Sequence, residues 1–370
     1  MTLRVTLIGA SGVFGSRIAS QLAGDPRFLL TLAGRNVGSL AVLRDALGDA
    51  SVQLAALDVT APDLLDAFAA LQSQLVIHAA GPFQGRDYRV AEACLTCGSD
   101  YIDLADGRDF VSGFGRLDVQ AKKNNRLLIS GASTVPALSS AVVDSLLPRF
   151  AELDVIEHAI SPGNRTPRGD ATVAAILGYC GRPVKLWRDG RWQQGHGWML
   201  TRRAVFPFGR RWVGLCDVPD LELFPVRYPG VRTVVFRAGL ELKLLHFGTL
   251  AAAWLVRLGV VRNLARHATR LRRLSEWFLA AGSDVGGMQV ALSGRDAQGQ
   301  SLTLRWSLRA AAGDGPQIPA TPAVVLARKL ADGSLSSKGA MPCMGLFTLE
   351  EALSALDGFA IDTQLDNPTG

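Results

Sequence analysis

Three glycines spaced three apart, Gly9, Gly12 and Gly15, follow a short apolar run and open a segment of helical periodicity. In that position bare backbone can approach a diphosphate at a helix N-terminus, where a Cβ would hold the anion away. The turn Gly9, Ala10, Ser11, Gly12, Val13, Phe14 and Gly15 is therefore read as a dinucleotide cradle. The next apolar run ends at Ala33-Gly34-Arg35-Asn36, with no carboxylate for ribose hydroxyls. Arg35, with Asn36 beside it, suits a 2′-phosphate, so NADP is expected, with NAD as the alternative. Asp58 after the third run serves either the adenine amine or a turn cap. The small residues Ala80 and Gly81, with Pro82 and Phe83, form a floor on which sugar and ring could lie, and His78 before them reads as an apolar-strand residue.

Hydride chemistry needs a proton donor as well. None of the four tyrosines has a lysine four positions on, which removes the Tyr-x-x-x-Lys mechanism of short-chain dehydrogenases. The donors left near strand ends are Tyr101, Asp103 and Asp106, with Ser133 either lining the ring site or serving as the N-cap of the helix that Pro136 opens. One aspartate could serve as a general acid of raised pKa; the structural alternative ties Asp103 to backbone amides and makes Asp106-Gly107 a helix cap. Arg165 and Arg168, in a Pro/Gly-rich loop, could receive an anionic substrate group or be solvated. Cys94 and Cys97 lack a second pair or histidines at ligand spacing, so no metal is expected.

These residues need a scaffold. Apolar runs at 3–9, 28–33, 52–57, 75–79, 101–104 and 126–130 alternate with helical periods, which predicts a parallel sheet covered on both faces. The fold class expected is α/β, a Rossmann doubly wound sheet over 1–150, with a second α+β domain over 151–318. Residues 319–370 form a C-terminal segment whose helix at Pro322–Leu330 returns to the first domain. Asp170 is read as the N-cap of a helix over 170–179, and 107–124 as one helix.

The chain has 370 residues, 48% of them hydrophobic, and a formal charge of +6. That supports two globular domains and is too small an excess to argue for nucleic acid. Five scattered cysteines point to a reducing cytosol. The helical insert over about 244–280 opens with an apolar stretch, 244–261, which is followed by Arg262, Arg266, Arg270 and Arg273 at helical spacing. It reads as a core-packed helix with a solvated face or as a peripheral membrane contact and access for a lipidic substrate.

The segments GASGVFG, AGR, HAAGPFQG, AEACLTCGSDYIDLADG and SGASTVPALSSAVVD, in this order, resemble the saccharopine-dehydrogenase-like NADP-binding family over about residues 1–150. Further pieces at 282–288 and 313–333 are also family-like. The resemblance implies a Rossmann domain plus an α+β domain, a homodimer and an NADP-dependent oxidoreductase. It leaves the small-molecule substrate open among a carbonyl, an imine and an enoyl group. A non-catalytic NADP-binding sensor or scaffold is the alternative.

Overall fold

The computed structural model describes residues 2–367. Along the chain, β1 (Leu3–Ile8), α1 (Val13–Leu22), β2 (Phe28–Gly34), α2 (Val37–Leu47), β3 (Gln53–Ala56) and α3 (Leu64–Leu71) form the first half of a doubly wound unit. The second half runs β4 (Leu75–His78), α4 (Arg89–Thr96), β5 (Asp100–Asp103), α5 (Arg108–Ser112), α6 (Asp118–Lys123) and β6 (Leu127–Ser130). The helix expected over 107–124 is thus divided, with a 3₁₀ turn at Phe114–Leu117 that follows Gly113 and contains Gly115. All four residues of β4 and of β6 are buried. Helices on both faces leave central strands no solvent side, hence their unbroken apolar runs.

The chain then leaves this unit. It continues through α7 (Ser139–Leu146), β7 (Glu152–Ser161), α8 (Asp170–Tyr179), β8 (Pro183–Arg188), β9 (Arg191–His196), β10 (Arg202–Phe206), β11 (Gly209–Leu215) and α9 (Asp220–Arg227). After these come β12 (Thr233–Ala238), α10 (Lys243–Arg257), α11 (Ala268–Glu276), β13 (Gly286–Arg295) and β14 (Ser301–Ala310). Finally α12 (Gln317–Ala331), β15 (Gly339–Pro342) and α13 (Leu349–Ser354) belong to the first unit again, and β16 (Ile361–Asp366) to the second.

The first sheet has seven strands in the order β15-β6-β5-β4-β1-β2-β3, every pair parallel. The order reverses between β1 and β4, the place where such sheets bind ligands beyond the strands' carboxyl ends. Helix α12 lies along α1, held by Gln21 on Gln317 at 2.9 Å and by the Arg27–Asp332 ion pair at 2.8 Å. The second sheet has nine strands and is mixed: β7 pairs parallel to β12 and antiparallel to β13.

Two compact units result, one from the residues up to Leu138 with Pro316–Ala355, the other from Ser139–Gly315 with the chain from Leu356 on. The division expected at 150 moves to 138 because α7 packs on β13. The 319–370 segment is itself shared: β15 completes the first sheet, while β16 pairs with β14. Its residues 368–370 lie outside the described residues. The 244–280 insert is two helices rather than one, because Gly259 at φ +78° ends the first run; Arg262 and Arg266 therefore precede α11. Asp170 is the first helical residue, and Gly169 takes the cap position. No helix among the described residues is long and apolar enough to cross a membrane.

Candidate active site

The glycine turn does two separable jobs. Gly9 sits at φ +76°, and a Cβ there would stand 2.9 Å from the Ala80 Cβ. A Cβ on Gly15 would meet the Gly9 carbonyl oxygen at 2.2 Å. Both glycines are therefore required by the chain's own packing. Gly12 differs: its φ is −74°, and an added Cβ would have only the Gly9 oxygen within 4 Å, at 3.1 Å. Its open side is the cradle. Helix α1 has no side-chain cap and no acidic residue in its first turn. Its first-turn amides lack intrahelical acceptors, so Val13 and Phe14 present N–H groups suited to a diphosphate. Ala10 is buried and Ser11 exposed in this turn.

Arg35 is exposed and has no hydrogen-bond partner among the described residues, while its charge reaches Asp58. That leaves the guanidinium free for a phosphate. Asn36 is already committed, accepting from the Ser39 amide at 3.1 Å as the cap of α2. Asp58 closes a local turn, accepting from the Thr60 hydroxyl at 2.7 Å and the Thr60 amide at 2.9 Å. These bonds hold its carboxyl below the usual carboxylate range.

Beyond β4 the chain runs through Ala80, Gly81 and Pro82 without regular structure. Ala80 abuts Gly9 and also lines a cavity of about 240 Å³. The loops after β3 (Val59, Thr60) and β4 (Pro82, Arg86) share its wall with His78 and Tyr101. Phe83 turns inward, 4.9 Å from the His78 ring and 5.4 Å from the Phe110 ring.

The parallel register sets His78 of β4 beside Asp103 of β5. Tyr101, two residues before Asp103, shares its face of the strand. The Tyr101 hydroxyl lies 3.0 Å from His78 Nδ1, whereas Nε2 of that ring is buried without a hydrogen-bond partner. Burial pushes the imidazole down to about 4, so it is neutral at physiological pH. Burial, then the neighbouring Asp103 carboxyl, holds the Tyr101 phenol well above its ordinary value.

Asp103 is fully buried. Its Oδ1 accepts from the Gly131 amide at 2.8 Å, the Ala105 amide at 2.9 Å and the Ser130 hydroxyl at 3.0 Å, which ties β5 to the end of β6. Burial raises the carboxyl to about 6 despite these donors and the Tyr101 hydroxyl beside them. The amide-tying alternative thus describes Oδ1, while the raised pKa was the other expectation. Asp106 is half-buried, raised by burial, and accepts from Gln84 at 2.9 Å. Of the three donors singled out in the sequence, Tyr101 alone reaches the cavity wall. Ser133 is buried, and its amide donates to the Gly131 carbonyl at 2.8 Å.

In the second unit, Arg165 donates to the carbonyls of Leu279 and Ala280 at 3.2 Å each, and Arg168 to Asn164. Both arginines are thereby occupied in holding their own loop. All five cysteines are free thiols, and no cluster of His, Cys, Asp and Glu among the described residues is placed to hold a metal ion.

A glycine turn on α1, an unpaired arginine after β2 and a parallel sheet reversing between β1 and β4 define a Rossmann-type dinucleotide-binding protein. Residues 5–129 match the saccharopine dehydrogenase NADP binding domain family. That domain is an NADP-binding one, which makes NADP the cofactor of this part of the chain.

A Mycobacterium tuberculosis protein named a putative trans-acting enoyl reductase is 35% identical over 105 residues, covering 27% of this chain and 24% of that protein. A probable mitochondrial saccharopine dehydrogenase-like oxidoreductase of Arabidopsis thaliana is 26% identical over 148 residues, covering 36% of this chain and 32% of its own. The matches thus span a quarter to a third of those relatives. Among solved structures, Saccharomyces cerevisiae saccharopine dehydrogenase (L-Glu forming) superposes with a TM-score of 0.68 at 14% identity, covering 98% of this chain and 100% of that one. The homospermidine synthase of Legionella pneumophila in complex with NAD gives 0.63 at 10% identity, covering 100% and 92%. At such identities the likeness concerns the fold.

Proposed function

We propose that the protein is an NADPH-dependent reductase of a carbonyl, imine or enoyl group on a largely apolar small molecule. The observation favouring an enzyme over a sensor is the cavity that shares Ala80 with the glycine turn and carries an unpartnered imidazole nitrogen in its wall. A sensor needs the cradle but has no use for a neutral, buried imidazole in the wall of a cavity beside it. The enoyl reading is supported by the name of the mycobacterial relative, and the apolar reading by Phe83, Tyr88, Tyr101 and Phe110 in the cavity's wall, with Arg86, Asp87 and Arg89 supplying its charged part.

The Gly9–Gly15 turn and the first amides of α1 would bind the diphosphate, Arg35 the 2′-phosphate, and Ala80 and Gly81 would support the sugar. When bound, NADPH supplies the hydride. The chain's own contribution is a proton and a dry wall. As the His78 ring gives up a proton at Nε2 to an atom that gains electron density in the cavity, the Tyr101 hydroxyl, 3.0 Å from Nδ1, would return one to Nδ1, so that the imidazole stays neutral and the phenol is left to be reprotonated. Tyr101 acts through His78 and fixes its tautomer. Asp103, titrating near 6, sets the charge behind that phenol.

The test is NADPH oxidation with conjugated enoyl, imine and carbonyl compounds of increasing chain length. Turnover is expected, and Tyr101→Phe should lower kcat by roughly 10²-fold or more with NADPH affinity unchanged. Tight NADPH binding without turnover across the panel would replace the enzyme by the sensor.

A further inference from the structure

The second unit carries a surface that the proposed reaction does not use. Residues 243–280 hold seven of the chain's 39 Lys and Arg but one of its 33 Asp and Glu, so this tenth of the sequence carries a net +6, the whole of the chain's formal excess. The same stretch holds ten of the 19 large hydrophobic side chains that are exposed among the described residues.

Helix α10 shows why. Its charged residues, Lys243 and Arg257, stand at its two ends, and everything between is apolar apart from His246 and Thr249. One side, with His246 and Ala253 buried, packs on the core around Trp198 and Met199. On the other side Leu244, Phe247, Trp254 and Leu258, at helical spacing, are 66%, 40%, 47% and 69% exposed. A helix that is apolar all round is normally covered all round. Helix α11 is basic instead, with the exposed Arg270 and Arg273 beside the exposed Leu271 and Leu274 and the 82%-exposed Trp277 just past its end. Arg257 lies over the Trp254 ring at 5.1 Å. Of these cations only Arg272 is neutralised by ion pairs, to Asp170 and Glu276.

We infer that this face docks on an anionic lipid bilayer, lying in the interface with the tryptophans at headgroup depth and the arginines against lipid phosphates. Tryptophan favours that depth, and basic residues flanking an apolar face are attracted to a negative surface. A second copy fits worse. A two-fold contact would set the same +6 against itself, because such an interface brings one patch onto its own image. Neither helix has the length to span a membrane, so the contact is peripheral. The inference is independent of the redox reading.

Flotation of the full chain with vesicles of phosphatidylcholine, with and without phosphatidylserine, tests it. Binding is expected to the phosphatidylserine vesicles alone, to weaken at high salt, and to fall about 25-fold in Arg270→Gln/Arg273→Gln, at roughly fivefold per basic residue. Trp277→Ser, at an exposed position, should lower binding while leaving NADPH affinity intact. Absence of flotation, or equal binding to neutral vesicles, would overturn the inference. So would a dimer in sedimentation that Leu258→Ser/Trp277→Ser dissociates, which would assign the face to a second copy.

Discussion

Replacing Asp103 by Asn separates the cost of its charge from the value of its hydrogen bonds. The unfolded carboxyl titrates near 3.8 and the folded one at about 6. Below 3.8 both states hold the proton, and the side chain adds no pH dependence. Between 3.8 and 6 the unfolded chain has released its proton while the folded chain keeps it, so stability falls as pH rises. Above 6 the folded state carries a buried carboxylate, and the accumulated loss is about 3 kcal/mol at 1.36 kcal/mol per pH unit. Asparagine retains an oxygen for Gly131, Ala105 and Ser130 but does not titrate. Relative to the wild type, Asp103→Asn should therefore gain about 2.5 kcal/mol between pH ~4 and pH ~7.5.

The assay must report on the first unit. All seven tryptophans lie between 187 and 306, so their fluorescence reports on the other one. Amide hydrogen exchange over 100–131 serves instead, each variant being compared with wild type at the same pH to cancel intrinsic chemistry. The ratio of protection should shift about a hundredfold in favour of Asn from acid to neutral pH. A ratio independent of pH would mean that the carboxyl titrates where an exposed one does, and would refute the burial argument.

Gly15→Ala, whose Cβ would press on the Gly9 oxygen at 2.2 Å, should destabilise the first unit by about 2–3 kcal/mol in urea unfolding followed by far-UV circular dichroism. Gly12→Val should instead leave that transition in place and abolish NADPH binding by calorimetry. Arg35→Ala should weaken NADPH by roughly 10–100-fold, as expected for a lost charge-assisted pair. It should leave NADH nearly unchanged, and equal losses for the two would remove the case for a 2′-phosphate site.

The nucleotide half of the fold was legible because each of its devices is local. The Gly9–Gly15 turn, the strand runs and the arginine after β2 all stand next to one another in sequence. The seventh strand, β15, was missed, since four residues bounded by Gly339 and Pro342 carry no apolar run and owe their conformation to the open edge of β6. In the second unit, β8 and β9 passed unrecognised although Asp189-Gly190, both at positive φ, is the two-residue turn that closes such hairpins. The site divides similarly. Tyr101 and Asp103 are neighbours in sequence and were found together. The pairing of His78 with Tyr101 depends on the register of β4 against β5, which no local pattern encodes, so His78 was read as a strand residue only.

The return of α12 and β15 to the first sheet has a consequence for how the protein is made. During synthesis, the strand that closes the sheet's edge and the helix that covers α1 emerge only after the whole second unit. Until then a nascent chain presents β6 with a bare edge and α1 with an apolar flank. A ribosome stalled near residue 315 would hold both units' worth of chain with the first sheet still unfinished, a substrate for chaperones until α12 and β15 arrive.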